Sequence, residues 1–177
     1  MDGTQELTEE HIREALVRTG KVPEGDPEGV GDAFVGLFTG TTAMRDIQGL
    51  SDDEIESMYA LGFSQFQAGR YEEAEKIFAL VCTMEHRERK YWMALGAARF
   101  NREQYETAVM AYSMAAMMAP GNPEPPLQAA DSLMKLGDGG RARAALELAI
   151  ENAGSDAAHA KLRAKAETLL ELIGEET

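Results

Sequence analysis

Residues 55–88 read IESMYALGFSQFQAGRYEEAEKIFALVCTMEHRE, and the next two blocks of equal length, 89–122 and 123–156, align with them without a gap. The twentieth position of every block is alanine, and the seventh and eighth positions read Leu-Gly, Leu-Gly and Ala-Ala. The fifteenth position, where a turn between helices is expected, is Gly69, Glu103 and Gly137. Such agreement at one spacing indicates an internal repeat of 34 residues.

The repeated small residues predict pairs of closely packed antiparallel helices. Two helix axes approach closely only where the facing side chains are small, so glycine or alanine on each first helix should meet alanine on the second. These small residues are Gly62, Gly96 and Ala130, opposite Ala74, Ala108 and Ala142. Large side chains should fill the remaining volume, namely Phe78, Tyr112 and Leu146, with Leu61, Leu95 and Ala129 doing so less evenly. One pair cannot bury its apolar face alone, so we expect the three pairs to stack.

The pattern resembles the tetratricopeptide repeat, which combines a 34-residue period with W-x2-L-G, A-x3-F and a late proline. The middle block carries the fullest match, through Trp92, Leu95-Gly96 and Pro120. The resemblance implies an all-α solenoid of three helix pairs, with repeats at 55–88, 89–122 and 123–156. We expect the pairs at about 52–67 with 71–84, 87–101 with 105–118, and 123–136 with 140–152.

The sequence on either side of the repeats predicts an N-terminal helical extension and a C-terminal cap. Residues 1–50 contain a short helical pattern, a flexible linker rich in glycine and proline, and a second apolar cluster. Ser51 to Glu54 form a capping box, which starts a second region at 51–174. Ser155 is expected to cap a final helix that closes the stack. The apolar stripe of this helix is Leu162, Ala166, Leu169, Leu170 and Ile173.

The second apolar cluster of the N-terminal extension needs a cover. It contains Phe34, Val35, Leu37, Phe38, Met44 and Ile47. So many apolar side chains are not expected to lie open in water. They should either fold onto the first helix pair or form a homodimer contact with a second copy of the chain.

The chain is acidic, because 31 Asp and Glu residues face 17 Lys and Arg residues, which gives a net charge of -14. Nucleic acids and anionic membranes should repel such a chain, so we expect neither as a partner. The charge is interpreted as an aid to solubility, with attraction of a basic partner as the alternative. No apolar run reaches the ~20 residues that a membrane helix needs. The acidic N terminus also lacks a basic-then-apolar signal, so we expect a cytoplasmic location.

No group of residues predicts catalysis, a cofactor or a metal site. His11, His86 and His159 fall in separate segments without a second ligand at metal spacing, so we expect them on the surface. The lone Cys82 is interpreted as a small core residue. The chain is therefore not expected to be an enzyme.

A peptide-binding groove is implied by the resemblance to tetratricopeptide arrays, in which the first helix of each pair lines the concave face. The residues at the lining positions that we expect to bind a peptide are Tyr59, Phe63, Phe66, Met93, Ala97, Phe100, Leu127 and Met134. Aromatic and methionine side chains favour apolar ligand groups. The alternative is that this strip packs beneath the N-terminal segment. Modules that clamp a terminal carboxylate carry Lys and Asn where this chain has Tyr59 and Phe63, so no such clamp is expected.

A more specific resemblance is carried by residues 49–63, GLSDDEIESMYALGF, and residues 69–74, GRYEEA. Further matches are Leu95-Gly96-Ala97, Gln104-Tyr105, Ala108-Val109, Tyr112-Ser113, and 123–126 followed by Ala129-Ala130. Together they cover about residues 44–154 and resemble the class II chaperones of bacterial type III secretion, which bind translocators. The resemblance implies that the groove aromatics hold an extended translocator segment with a proline-leucine-proline pattern.

We therefore interpret the chain as a cytoplasmic bacterial chaperone that keeps type III translocator subunits soluble before export. The expected partners are translocators and, through the N-terminal segment, a second copy of the chain. The alternative is a general tetratricopeptide scaffold or a regulatory protein in a multiprotein assembly.

Overall fold

The computed structural model describes Arg18, Gly36, Gly40 and residues 42–175, so most of the predicted N-terminal extension lies outside the described residues. The helices that form in residues 42–175 are α1 Met44–Gln48, α2 Asp52–Gln67, α3 Tyr71–Met84, α4 Arg89–Asn101, α5 Tyr105–Met118, α6 Glu124–Lys135, α7 Gly139–Ala153 and α8 Ala160–Glu175. A single 3-10 turn, Ala157–His159, precedes α8.

From α2 onward, each helix packs against the next one along the chain, which gives the pairs α2–α3, α4–α5 and α6–α7. The final helix, α8, packs against α7. The predicted all-α array of three helix pairs with a C-terminal cap is confirmed.

The predicted capping box starts α2. The Ser51 amide donates to Glu54 Oε2 at 2.8 Å, and the Glu54 amide donates to Ser51 Oγ at 3.3 Å. Leu50, just before the cap, packs against the apolar cluster that contains the fully buried Ile55. Because two otherwise unpaired amides are bonded here, the first residue of the array is fixed locally.

In the first two pairs, the helices come into close contact at a glycine. A Cβ built on Gly62 would lie 2.7 Å from the Phe78 ring, and one built on Gly96 would lie 2.5 Å from the Tyr112 ring. Both distances are shorter than real Cβ contacts. The aromatic rings of the second helices therefore rest directly on the backbone of the first helices, which only glycine permits.

In each repeat, the turn between the paired helices contains the residue at the fifteenth position. Gly69 and Gly137 have φ angles of 75° and 72°, in the left-handed region that favours glycine. Glu103 takes the same conformation, with φ 61°, in the middle repeat. A side chain is strained in this region, so Glu103 costs stability that its glycine counterparts do not cost.

The cap differs from the prediction in its first residue. Ala166 and Ile173 of α8 are buried, and Leu162, Leu169 and Leu170 are half-buried against the same cluster, as expected of a closing helix. The cap of the preceding 3-10 turn, however, is Asp156, whose side chain accepts from the Ala158 amide at 2.9 Å. Ser155 was the wrong residue because the chain enters α8 through a short 3-10 turn rather than directly.

Leu61 was also assigned wrongly, since it is 54% exposed, whereas its equivalent Leu95 is buried. In the middle repeat, α3 of the preceding pair packs on α4. Among the described residues no earlier second helix covers the corresponding face of α2. Equivalent positions therefore differ in burial at the end of the array.

An ion cluster attaches α1 to the turn between α3 and α4. Glu85, which is 3% exposed, forms an ion pair with Arg45 at 2.7 Å and accepts a hydrogen bond from Arg87 at 2.7 Å. Arg87 also reaches Asp46 of α1 at 3.3 Å. Burial alone would raise the pKa of the Glu85 carboxyl, but hydrogen bonds from Arg87 and the charges of Arg87 and Arg45 outweigh it and hold this pKa below its usual value. The carboxylate therefore stays charged and keeps α1 in place.

Substitution of Gly96 by leucine should force α4 and α5 apart. We expect Gly96→Leu to lower the free energy of unfolding by ~2 kcal/mol or more, because the Tyr112 ring occupies the space that the side chain needs. The matched control is Gly140→Leu in α7, where a Cβ would meet its nearest atom at 3.8 Å. Chemical denaturation of both variants measures the effect, and equal stabilities would contradict the close packing of this pair.

Relief of the strain at Glu103 should stabilise the array. We expect Glu103→Gly to raise the free energy of unfolding by about 0.5–1 kcal/mol, since glycine adopts this φ freely but costs more entropy on folding. The reverse change, Gly69→Ala, should destabilise by about 1 kcal/mol through strain, because a Cβ at Gly69 meets nothing within 4 Å. Melting temperatures that change in the same direction for the two variants would contradict the proposed backbone strain at Glu103.

Candidate functional site

The first helices of the three pairs, α2, α4 and α6, share one face of the array, here called the first-helix face. It carries a pocket of about 350 Å³, here called the groove pocket. The residues that line it are Tyr59, Phe63, Phe66, Phe78, Arg89, Lys90, Met93, Ala94, Ala97, Tyr112, Glu124 and Gln128. Apolar walls with a few polar groups at the edge are typical of sites that bind apolar ligand groups.

Five of the eight predicted peptide-binding residues line this pocket: Tyr59, Phe63, Phe66, Met93 and Ala97. They lie together because the spacings of four and three residues put Tyr59, Phe63 and Phe66 on one face of α2, and α4 packs alongside α2. The structure therefore brings the predicted aromatic strip and the middle repeat to one site.

The other three predicted residues lie outside the pocket lining. Phe100 packs half-buried against Tyr112 and stacks edge-on with Tyr105, with ring centroids 5.4 Å apart. Met134 packs half-buried against the apolar cluster between α6, α7 and α8.

Leu127 is fully buried, in the same apolar cluster as Ala166 and Ile173 of α8. It cannot present its side chain to a peptide, and its assignment to the groove is corrected. The physical reason is that the cap is part of the same core as this end of α6.

Phe63 is the pocket residue most open to solvent, at 44% exposure. Its ring stacks on Tyr59 with centroids 6.3 Å apart. Tyr59 in turn contacts Phe78 at 5.7 Å and Tyr91 at 5.3 Å, so it supports the core as well as the pocket. Tyr59 and Phe63 therefore differ in their importance for folding, because removal of Tyr59 disturbs buried rings and removal of Phe63 does not.

Two residues of the second helices form the floor of the pocket. Phe78 is 1% exposed and Tyr112 is 3% exposed, and both line the pocket from below the first helices. The sequence identified both as core residues of the pairs but not as part of the site. The signal that could have found them is the eighth-position glycine, which lets each ring pass beneath its first helix.

The pocket edge is polar and its charges are paired across neighbouring repeats. Arg89 of α4 bonds Glu124 of α6 at 2.8 Å, and Lys90 bonds Glu56 of α2 at 2.5 Å. The Lys90 ammonium also lies 5.6 Å from the Tyr59 ring centre. Hydrogen bonds from Lys90 and Tyr91 lower the pKa of the Glu56 carboxyl. The edge therefore remains charged but locally balanced at neutral pH.

Within residues 42–175 and the three isolated positions, no group of three or more His, Cys, Asp or Glu side chains could hold a metal ion. Cys82 is buried, as expected, and burial raises the pKa of its thiol to about 12. His86 is not a surface residue as predicted, since it is half-buried and its Nε2 lies 3.2 Å from the Gly40 carbonyl oxygen. None of the helices in this part of the chain is long and apolar enough to span a membrane.

Comparison with known proteins agrees with the repeat architecture. Two tetratricopeptide repeat families match, one over residues 55–87 and one over residues 100–166. The low calcium response locus protein H of Yersinia pestis is 34% identical over 134 residues, which span 76% of this chain and 79% of that protein.

Two solved structures share the fold and a substantial part of the sequence. A type III secretion complex from Aeromonas hydrophila matches with a TM-score of 0.77 and 32% identity, covering 82% of this chain and 97% of that one. PcrH, a protein of Pseudomonas aeruginosa, matches in its complex with the chaperone-binding region of PopD, with a TM-score of 0.69 and 38% identity over 72% of this chain and 96% of that one. The chain therefore belongs to the class II, or translocator, chaperones of bacterial type III secretion, which are built from tetratricopeptide repeats.

Proposed function

We propose that this protein is a cytoplasmic chaperone that holds an extended segment of a type III secretion translocator in the groove pocket before export. The observation that carries the proposal is the aromatic strip of α2, where Phe63 remains 44% exposed beside a pocket of about 350 Å³. An exposed aromatic next to an apolar pocket marks a binding surface in a soluble protein. PcrH, a relative in the same family, has been solved with the chaperone-binding region of PopD.

The proposed mechanism is the removal of apolar surface from solution. Translocators carry apolar membrane-inserting segments, which aggregate in water unless they are covered. A pocket that exists before the ligand arrives can bind such a segment without the cost of ordering its own walls. No reaction is needed, so the proposed activity is binding alone.

The proposed contact residues are Tyr59, Phe63, Phe66, Met93 and Ala97, which line the pocket. Phe100 and Met134, which are half-buried, are proposed to contact a peptide that extends beyond the pocket. Methionine adapts its shape to different partners, which suits a chaperone that holds more than one sequence.

The paired charges at the pocket edge support an apolar mode of binding. Arg89 and Lys90 already have carboxylate partners, in Glu124 and Glu56. A peptide carboxylate would have to compete with these partners, and so would gain little from either cation. We therefore propose that apolar side chains of the translocator, rather than its charges, provide most of the affinity.

Removal of the Phe63 ring should weaken binding without an effect on folding. We expect Phe63→Ala to cost about 1 to 3 kcal/mol in binding, as buried aromatic anchors do at interfaces. The measurement is the dissociation constant of a fluorescein-labelled PopD chaperone-binding region, read by fluorescence anisotropy, together with a thermal melt.

The control for Phe63→Ala is Glu73→Ala, since Glu73 is exposed at the start of α3 and away from the pocket lining. Its dissociation constant and melting temperature should equal those of the wild type. Tyr59→Ala should lower both affinity and stability, because Tyr59 contacts Phe78 and Tyr91. If Phe63→Ala binds the peptide as tightly as Glu73→Ala, the ligand lies elsewhere.

We also propose that the apolar N-terminal cluster forms a homodimer contact. This proposal does not depend on the groove pocket. Phe34 and Phe38 belong to the apolar cluster of that segment, so the double variant Phe34→Asp, Phe38→Asp should place charge in the contact. We expect light scattering to give the mass of two chains for the wild type and of one chain for this variant. Equal masses for the wild type and the variant would show that this segment does not form a dimer contact.

A further inference from the structure

The groove pocket contains a polar group without a partner in the described part of the chain, the hydroxyl of Tyr112. The residue is 3% exposed and lines the pocket floor. Among the residues that the structure describes, none forms a hydrogen bond with this hydroxyl. Its oxygen is not sealed from solvent, so it reaches the pocket. In the free protein water satisfies this hydroxyl, so a ligand that enters the pocket meets a polar group that is free to bond it.

Packing does not require the hydroxyl. The equivalent residue of the first repeat is Phe78, which is just as buried and also lies against a glycine of its first helix. The equivalent of the third repeat is Leu146, which is fully buried. The chain thus fills this position twice without a polar atom, and only the middle repeat adds one, inside the groove pocket.

The ring that carries the hydroxyl is held in a fixed position. Gly96 allows such close approach that a Cβ there would meet three ring carbons of Tyr112 within 2.8 Å. Phe100 and Ala129 pack in the same cluster. A hydroxyl on an immobilised ring is a preorganised hydrogen-bonding group, which loses little entropy when a ligand arrives.

We infer that the Tyr112 hydroxyl donates a hydrogen bond to a main-chain carbonyl of the bound translocator segment and so fixes the position of that segment in the groove. This inference rests on the proposed function of the same pocket. Around the hydroxyl, the walls are aromatic, methionine and alanine side chains, which favour apolar ligand side chains and leave the ligand backbone as its polar part. An extended peptide has carbonyls that need donors once they leave water. Ala94 and Ala97, both small, allow the ligand backbone to come close.

The charges around Tyr112 select a neutral acceptor. Burial raises the pKa of the Tyr112 hydroxyl, and the charges of Asp131 and Glu124 raise it further. The group therefore keeps its proton at neutral pH and can donate. Glu124 and Asp131 are paired with Arg89 and Lys165, so a ligand carboxylate gains little from these cations, and a backbone carbonyl is favoured over an acidic side chain.

The test compares Tyr112→Phe with the wild type, using the fluorescein-labelled chaperone-binding region of PopD as the probe. We expect the dissociation constant to rise about five- to tenfold, the loss that follows when one hydrogen bond in a binding site is removed. The melting temperature should be unchanged or higher, because Tyr112→Phe removes only an unpartnered polar atom and reproduces the residue found in the first repeat. The matched control is Tyr105→Phe on the same helix, which does not line the pocket and should leave the dissociation constant unchanged.

A second arm identifies the acceptor. Each polar side chain of the probe is replaced by alanine, and the ratio of dissociation constants between Tyr112→Phe and wild type is measured for every probe. A constant ratio supports the main-chain contact. A ratio that falls to one for a single altered probe would overturn it in favour of a side-chain contact, and an unchanged dissociation constant or a lower melting temperature for Tyr112→Phe would overturn it altogether.

Two outcomes separate the hydroxyl contact from the binding of a translocator segment in the groove. If Phe63→Ala weakens binding while Tyr112→Phe does not, the pocket binds the translocator segment and only the hydroxyl contact is wrong. If the wild type does not bind the probe, the groove function itself is overturned, and the hydroxyl contact with it.

Discussion

In the first two pairs, the contact between a glycine backbone and an aromatic ring determines how closely the helices approach each other. Gly62 faces Phe78 and Gly96 faces Tyr112, at distances that leave no room for a Cβ. Because each ring is set beneath its first helix, the pairs bury large aromatic surface at small interhelical distance. Each pair in turn packs on the next one, and the array, its pocket and its cap all depend on that stacking.

Charge pairs repeat along the array with the period of the sequence. Lys90 and Glu56 are 34 residues apart, and so are Lys165 and Asp131, while Arg89 and Glu124 are 35 apart. Two of these pairs join a first helix to the next first helix, and the third joins α6 to the cap helix α8. Exposed pairs contribute little stability individually. Their regular placement nevertheless shows that neighbouring repeats meet in the same relative orientation along the first-helix face.

The paired helices were predictable because close packing leaves a fixed periodic trace of small residues in the sequence. The aromatic strip of α2 could be placed for the same reason, since helical spacing and repeat position were enough. The errors fall where periodicity does not apply. Leu61 is exposed because no described second helix precedes α2, and Leu127 is buried because its apolar cluster extends into α8. The attachment of α1 through Arg45 and Glu85 could not be foreseen, since the two residues are 40 apart and belong to no repeat.

Phe78 and Tyr112 belong both to the hydrophobic core and to the pocket floor. A mutation that reshapes either ring to suit a different cargo therefore also changes the packing of a helix pair. Phe63, which is 44% exposed, belongs to the pocket but not to the buried core. During evolution, substitutions of Phe63 can consequently change the cargo preference of this chain without a cost in folding. Substitutions of Phe78 and Tyr112 are instead restricted by selection for a stable fold.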